Sequence, residues 1–357
     1  MTANLHLIKR KTEMEKGYLD VENLHILVKE CKPSMTWDGK EDTDHWQKSA
    51  RAKLSELLGL DEIEKRRTDL KMEIEYDHYA EDLGCREIRF LYETEKGVTV
   101  PCHLVIPNGA DKPLPVVICL QGHSRGMHIS LGRPKFARDE ESIAGGDRDF
   151  VRRAIKEGCC AIALDQRCFG ERSSKAESVI DCRFNATKAL LIGRTIIGER
   201  VWDIMRCIDV IARDFADIAD PEKVICLGNS GGGTATIYAS ALDERIKISV
   251  PSCAVCAYGD SIAAVPHCEC NFVPNIAKYF DMGDLCAMVA PRPLIVVNGK
   301  DDTDFPLYAA KACVEVGRRV YEAMSVSDEL IHVVGKQGHR FYADDAWPHI
   351  NRAIENL

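Results

Sequence analysis

The sequence predicts an α/β protein with a mostly parallel central sheet flanked by helices. From Pro115 onward, short apolar segments recur at residues 116–120, 159–164, 224–227, 294–297 and 330–334, with a more mixed one at 246–250. Helical stretches separate most of them, and one has apolar residues that step by three and four: Val201, Ile204, Ile208 and Ile211. Apolar strands that alternate with helices are typical of a parallel sheet covered on both faces.

The chain before this region carries different patterns. Residues 1–68 are charged and mostly helical in pattern, and Gly59 is a plausible helix end. A β-hairpin follows, because apolar residues alternate on both sides of a turn at residues 95–97. We therefore predict a helical N-terminal extension over residues 1–68 and an α/β domain over residues 69–357.

Composition and charge exclude several classes of protein. The 357 residues are 45% hydrophobic, enough to bury a core, and carry a net charge of −9. No block of Lys and Arg suggests a basic face, so we expect neither nucleic acid nor an anionic membrane as a partner. No signal-peptide pattern and no long apolar span occur, and several of the 16 cysteines lie inside apolar segments. These features predict a cytoplasmic protein without disulfides.

Two connections are too long to be simple linkers. Residues 122–149 and 166–198 each join a predicted strand to its helix. Loops beyond about 12–15 residues inside a compact domain are usually functional or disordered. Parallel sheets bind ligands at the carboxyl ends of their strands, so these loops are candidates for the walls of a substrate pocket.

The strongest chemical signal is the segment Gly-Asn-Ser-Gly-Gly at residues 228–232. It follows the apolar segment 224–227 and precedes a helical stretch at 234–242. A serine on such a sharp strand-to-helix turn is exposed to an adjacent base, which it needs to become a nucleophile. The alternative is a glycine-rich turn that binds phosphate. An acid and then a histidine follow downstream, and this order favours Ser230 as a catalytic nucleophile.

The base is expected after the last strand. His339 lies a few residues beyond the segment 330–334 and before the final helix. His332 lies within that strand, and His349 lies in or near the start of the helix. We therefore predict His339 as the base.

The acid that orients the base is expected after the segment 294–297. Three aspartates lie there: Asp301, Asp302 and Asp304. Any of them could hold the imidazole in its tautomer, so the residues alone leave the choice open.

An oxyanion hole needs two backbone N–H groups that face the developing charge. Gly231, the residue after the nucleophile, is expected to supply one. The other should come from the loop after the segment 116–120, which contains Gly122 and His123. Glycine in this loop allows close approach to a substrate.

At these residues the sequence resembles the acetyl xylan esterase and cephalosporin-C deacetylase group of α/β-hydrolases, with relatives of the dienelactone-hydrolase type. The motifs that carry the resemblance are the Gln121-Gly122-His123 turn, residues 165–172, residues 202–209, the serine turn, and residues 290–293, 299–306 and 338–341. The resemblance implies an α/β-hydrolase catalytic domain, a cofactor-free serine esterase that deacetylates a carbohydrate or a similar small ester, and Asp302 as the acid. That group also forms ring-shaped assemblies, so a homo-oligomer is one alternative.

Four further residues are candidates for substrate binding: Gln121, Glu171, Arg172 and His267. Gln121 stands where the family usually has a histidine. Glu171 and Arg172 either contact substrate or pair with each other.

Residues 267–270, His-Cys-Glu-Cys, are a candidate metal site. Zinc needs four ligands, typically in two close pairs, and no second pair with such spacing is evident. We therefore expect a loop near the pocket and no metal.

Two other functions fit parts of the pattern. A serine peptidase of the prolyl-oligopeptidase type uses the same catalytic groups, but its propeller domain would not fit into the first 70 or so residues. A non-catalytic binding protein on this fold would have no need of serine, aspartate and histidine together.

Overall fold

The computed structural model describes residues 20–175 and 180–357. Within these residues nine strands form one sheet, in the order β1-β2-β3-β5-β4-β6-β7-β8-β9. The strands are β1 (Met72–Ala80), β2 (Cys85–Glu95), β3 (Val98–Ile106), β4 (Leu114–Leu120), β5 (Cys160–Leu164), β6 (Ala219–Asn229), β7 (Ile246–Ser252), β8 (Leu294–Gly299) and β9 (Leu330–Gly335). Strands β1 to β3 are antiparallel to their neighbours, and all other pairs are parallel. The predicted fold class is confirmed.

Helices cover both faces of this sheet. They are α1 (Asp20–Glu30), α2 (Thr43–Leu58), α3 (Leu60–Glu64), α4 (Asp139–Gly146), α5 (Phe150–Lys156), α6 (Cys182–Leu190), α7 (Ile196–Asp214), α8 (Gly231–Leu242), α9 (Ile276–Tyr279), α10 (Met282–Val289), α11 (Leu307–Ala323) and α12 (Ala343–Glu355). No helix in the described ranges is long and apolar enough to cross a membrane.

Strand β4 shows how the sheet divides the core. Its residues alternate between two apolar clusters, with Val116 and Ile118 in one and Val117 and Cys119 in the other. The first cluster includes the predicted buried face of α7, and the second includes Trp347 of α12. Both faces of the strand are buried, which explains why its sequence is continuously apolar.

Strand β1 was not predicted. Most of its residues are exposed, and its sequence, Met-Glu-Ile-Glu-Tyr-Asp-His-Tyr-Ala, is charged. The antiparallel ladder with β2 holds it at the edge of the sheet, and Arg86 forms two hydrogen bonds with Asp77 across that ladder. Charged side chains are a common protection of edge strands against further pairing, and they conceal the strand pattern.

The predicted N-terminal extension packs into the main core. On α2, Trp46, Leu54 and Leu58 are buried in the same cluster as α7. The Gln47 side chain donates to the carbonyl groups of Ala287 and Ala290 at 3.0 and 2.8 Å. Residues 1–19 of the extension lie outside the described residues. The boundary at residue 68 stays a prediction, but α2 and α3 share the core of the sheet domain.

The two long connections contain short helices. Residues 122–149 include α4 and a 3-10 turn at Met127–Ile129, and residues 166–198 include α6. The first connection leaves the carboxyl end of β4 and the second leaves that of β5. Ser230 lies at the same edge of the sheet, directly after β6. The role of both connections as pocket walls stays a prediction.

If α2 is part of the core, Leu54→Ala should lower the free energy of unfolding by about 2–5 kcal/mol, because it removes a fully buried side chain and leaves a cavity. The matched control is Glu56→Ala on the same helix, which is exposed and whose carboxylate pairs with Lys53 alone among the described residues. We expect it to change stability by about 0.5 kcal/mol or less. Denaturant unfolding measures both, and equal effects would contradict the shared core.

Candidate active site

Ser230 occupies the turn between β6 and α8. Its backbone has φ 57° and ψ −124°, in the positive-φ region that non-glycine residues rarely adopt. Its N–H donates to the Ser252 carbonyl at the end of β7, at 2.8 Å, and its own carbonyl accepts from Thr234 N–H at 2.8 Å. Strand and helix therefore hold the strained turn from both sides.

The glycines beside Ser230 let neighbouring chain segments approach closely. A Cβ atom on Gly232 would lie 2.1 Å from the Leu120 carbonyl oxygen, which no side chain could tolerate. A Cβ atom on Gly122 would lie 2.8 Å from Cβ of Ser230. The loop after β4 thus lies directly against the serine turn.

Asp302 and His339 form a hydrogen-bonded pair. Nδ1 of His339 lies 2.9 Å from Oδ2 of Asp302. Because an ionised carboxylate can only accept, the imidazole donates here, and in the neutral ring Nε2 is left as an acceptor. The other carboxylate oxygen accepts from the backbone N–H groups of Asp304 and Phe305 at 3.0 and 3.2 Å. Asp302 is buried, whereas Asp301 and Asp304 are exposed.

These contacts keep Asp302 ionised. Burial alone would raise its pKa, but the hydrogen bonds from His339, Cys253 and the Phe305 N–H, together with the charge that His339 carries when protonated, hold the pKa below its usual range. The Phe305 ring stacks on His339, with centroids 5.7 Å apart and planes inclined by 20°. The pair is thus fixed by backbone donors on one side and an aromatic ring on the other.

The serine turn and the histidine loop meet at the end of β7. Ser252 accepts the N–H of Ser230, and the next residue, Cys253, donates to the Arg340 carbonyl at 3.2 Å. The thiolate form of Cys253 is disfavoured, since burial raises its pKa to about 12. The segment 252–253 therefore links the nucleophile candidate to the residue that follows His339.

Gly231 and His123 lie side by side at this turn. A Cβ atom on Gly231 would lie 2.9 Å from two atoms of the His123 ring. The start of α8 and the loop after β4 thus face each other beside Ser230, which is where an oxyanion hole of two backbone N–H groups would form.

The four substrate-binding candidates have different surroundings. Gln121 is buried, and its amide donates to Ser130 Oγ and the Arg148 carbonyl, both at 2.7 Å. Glu171 forms an ion pair with Arg89 at 2.6 Å, and Arg172 forms one with Asp203, also at 2.6 Å. The alternative that Glu171 and Arg172 pair with each other is therefore wrong.

His267 packs near the Asp302–His339 pair. Its ring contacts Phe305 edge-on, with centroids 5.3 Å apart, and Phe305 stacks on His339. Its Nε2 lies 3.2 Å from Ser261 Oγ. Burial lowers the pKa of His267, which favours the neutral ring.

A protein-family model identifies the family to which the chain belongs. The model of the Abhydrolase family matches residues 15–323, which is most of the chain, although it ends before His339. The chain belongs to the Abhydrolase family. The prediction that it is an α/β-hydrolase is confirmed.

The proteins that this abhydrolase resembles in sequence include a hydrolase and several esterases. It is 27% identical to the Bacillus subtilis protein YtaP, whose name assigns it only to the hydrolases, over 67% of this chain and 77% of that one. It is 24% identical to the 4-O-methyl-glucuronoyl methylesterase of Phanerochaete carnosa, over 54% of each chain. The chain therefore spans about half the length of that relative.

Solved structures share the fold of this abhydrolase. A Bacteroides fragilis protein whose name assigns it to the acetyl xylan esterases superposes with a TM-score of 0.72 at 18% identity, covering 91% of this chain and 82% of its own. The glucuronoyl esterase of Solibacter usitatus gives a TM-score of 0.69 at 17% identity, covering 91% of this chain and 97% of its own.

Sequence reasoning missed two residues near the site of this abhydrolase. Cys253 lies beside Asp302 and could have been noticed because it directly follows β7. Cys182 lies near His123, Cys268 and Cys270. No spacing along the chain indicates that contact, because the loop with His123 and the start of α6 meet only in the fold.

The Asp302–His339 hydrogen bond leads to a prediction for this abhydrolase. Asp302→Asn should lower kcat for ester hydrolysis by about 10⁴-fold, because an amide favours the wrong imidazole tautomer. Asp301→Asn is the matched control, and as an exposed loop charge it should change kcat far less. Steady-state kinetics on p-nitrophenyl acetate would measure both. A crippled Asp301→Asn beside an active Asp302→Asn would refute the assignment.

Proposed function

We propose that the protein is a serine-dependent carboxylic ester hydrolase that works through an acyl-enzyme. Ser230 is the nucleophile, His339 the general base and Asp302 the residue that orients it. The observation that carries the proposal is the partly buried Asp302–His339 hydrogen bond, joined through residues 252–253 to the strained turn of Ser230. The family and the esterase names of several relatives support an ester as substrate.

The residues divide the reaction between them. Nε2 of His339 takes the proton from Ser230 Oγ as that oxygen attacks the ester carbonyl carbon. The N–H groups of Gly231 and of the loop at Gly122 and His123 stabilise the oxyanion that forms. His339 then gives its proton to the departing alcohol, which leaves Ser230 acylated. Water, activated by the same histidine, releases the acid and restores the serine.

The substrate class we propose is a carbohydrate ester. The sequence resemblance favours an acetylated sugar, in which the sugar is the leaving alcohol. A second candidate is the methyl ester of a sugar acid, favoured by the glucuronoyl methylesterases among the relatives. The two differ in their products, since the first releases acetate and the second releases methanol. Peptide cleavage is disfavoured by the same comparison.

We further propose a reducing compartment, the cytoplasm. None of the 16 cysteines forms a disulfide, all of them lie within the described residues, and most are buried. Free cysteines in this number are typical of proteins kept reduced. A homo-oligomer stays a prediction.

If Ser230 is the nucleophile, Ser230→Ala should lower kcat by about 10⁴-fold or more and leave the fold intact, because only binding and oxyanion stabilisation remain. The matched control is Ser240→Ala on α8, whose buried hydroxyl has no hydrogen-bond partner among the described residues. It should retain near-normal kcat. A folded Ser230→Ala enzyme with a tenth of normal activity would end the serine-esterase proposal.

The loops 122–149 and 166–198 suggest a pocket for a short acyl group. We therefore expect p-nitrophenyl acetate to be hydrolysed with a higher kcat/KM than the octanoate. A favourable apolar pocket would gain about 1–3 kcal/mol for a methylene it can hold, whereas a closed wall excludes the longer chain altogether. A kcat/KM that rises with chain length would instead indicate a lipase-like enzyme.

A further inference from the structure

Four potential metal ligands lie close together at the loop after β4, which contains Gly122 and His123. They come from three separate segments: His123 follows β4, Cys182 begins α6, and Cys268 and Cys270 lie between β7 and α9. One ligand atom from each lies within 4.8 Å of all the others. Nε2 of His123 is 3.1 Å from Sγ of Cys270, although the two residues are 147 positions apart in the chain.

We propose that His123, Cys182, Cys268 and Cys270 bind one zinc ion. Three thiolates and one imidazole are a donor set found in structural zinc sites. Zinc bonds are about 2.3 Å long to sulfur and about 2.0 Å long to nitrogen, so a tetrahedral site places its ligand atoms about 3.5–3.8 Å apart. The His123–Cys270 separation is 3.1 Å and all the others are at most 4.8 Å, so small side-chain shifts are enough to reach that geometry.

The charge around the cluster supports a bound metal. Arg200 on α7 is almost completely buried, and its guanidinium lies 3.4 Å from Sγ of Cys270 and 3.4 Å from Sγ of Cys182. It also donates to the Arg167 carbonyl at 2.9 Å and lies over the Phe169 ring. No carboxylate is among its hydrogen-bond or ion-pair partners in the described ranges.

This arginine needs a compensating negative charge. A guanidinium stays protonated in proteins, and burying it without an anion is costly. Three neutral thiols would not balance it, and three bare thiolates would repel one another. Three thiolates with Zn²⁺ and a neutral imidazole carry one net negative charge, which Arg200 neutralises.

The metal would have a structural role next to the catalytic serine. Four protein ligands leave no open position for water or substrate, which is the arrangement of a closed site. The ion would tie the loop of Gly122 and His123 to α6 and to the segment 268–270. It would thus fix the backbone that faces Ser230, without taking part in the chemistry.

This inference departs from the expectation that the chain binds no metal. That expectation rested on the lack of a second ligand pair along the sequence. The fold instead supplies single ligands from two distant segments, His123 and Cys182. The inference does not rest on the proposed esterase activity.

Elemental analysis of protein purified without chelator tests the proposal. We expect about one zinc ion per chain, and Cys182→Ala and Cys270→Ala should lose most of it. The matched control is Cys286→Ala on α10, an equally buried thiol outside the cluster, which should keep its zinc. Zinc retained by folded Cys182→Ala, or wild-type protein that stays metal-free after zinc is supplied, would overturn the site.

A second measurement on the wild-type chain removes the dependence on variants that fail to fold. Cobalt added to zinc-depleted protein should give the intense visible bands of tetrahedral thiolate coordination, and zinc should displace them. The intact mass of unreduced, denatured protein should match fully reduced thiols. An intact mass lower by two hydrogens would indicate a disulfide among these cysteines. Together with an absence of cobalt binding, it would show that they form a redox-active thiol pair, and it would overturn the zinc site.

Discussion

The positive φ of Ser230 is the constraint on which the rest of the site depends. A non-glycine residue in such a conformation costs on the order of 1–3 kcal/mol, and it persists only where the surroundings hold it. Here the end of β7 accepts the serine N–H, and the first turn of α8 donates to its carbonyl. The parallel pairing of β6 with β7 is therefore what places the serine at the edge of the sheet.

The same strand ends bring the other groups together. The loop after β4 lies against the serine at Gly122, and the loop after β8 supplies Asp302. The loop after β9 supplies His339, and residues 252–253 connect it to the serine turn. Each group comes from a different strand, and all leave the carboxyl edge of one sheet. Strand order thus determines which loops can share a site, and the side chains then set the chemistry.

The sequence predicted the parts of this arrangement that are local. Buried parallel strands have continuously apolar sequences, so β4 to β9 were predicted within a few residues. The proposed roles of Ser230 and His339 were inferred from their places after strands. The edge strand β1 was missed because its charged residues conceal it. Asp302 needed the family resemblance, because three neighbouring aspartates carry equal chemistry and only burial and contact distinguish them. The cluster of His123 with three cysteines could not be predicted, since its members meet only after folding.

Covalent labelling of the native enzyme with a fluorophosphonate tests the proposed role of Ser230 most directly. Such a probe reacts with a serine that an adjacent base activates, as the Asp302–His339 pair should activate Ser230. We expect one adduct, located on Ser230 by tandem mass spectrometry, which forms at the same rate as esterase activity is lost. An adduct on another residue, or a fully active enzyme whose Ser230 carries the label, would contradict that role.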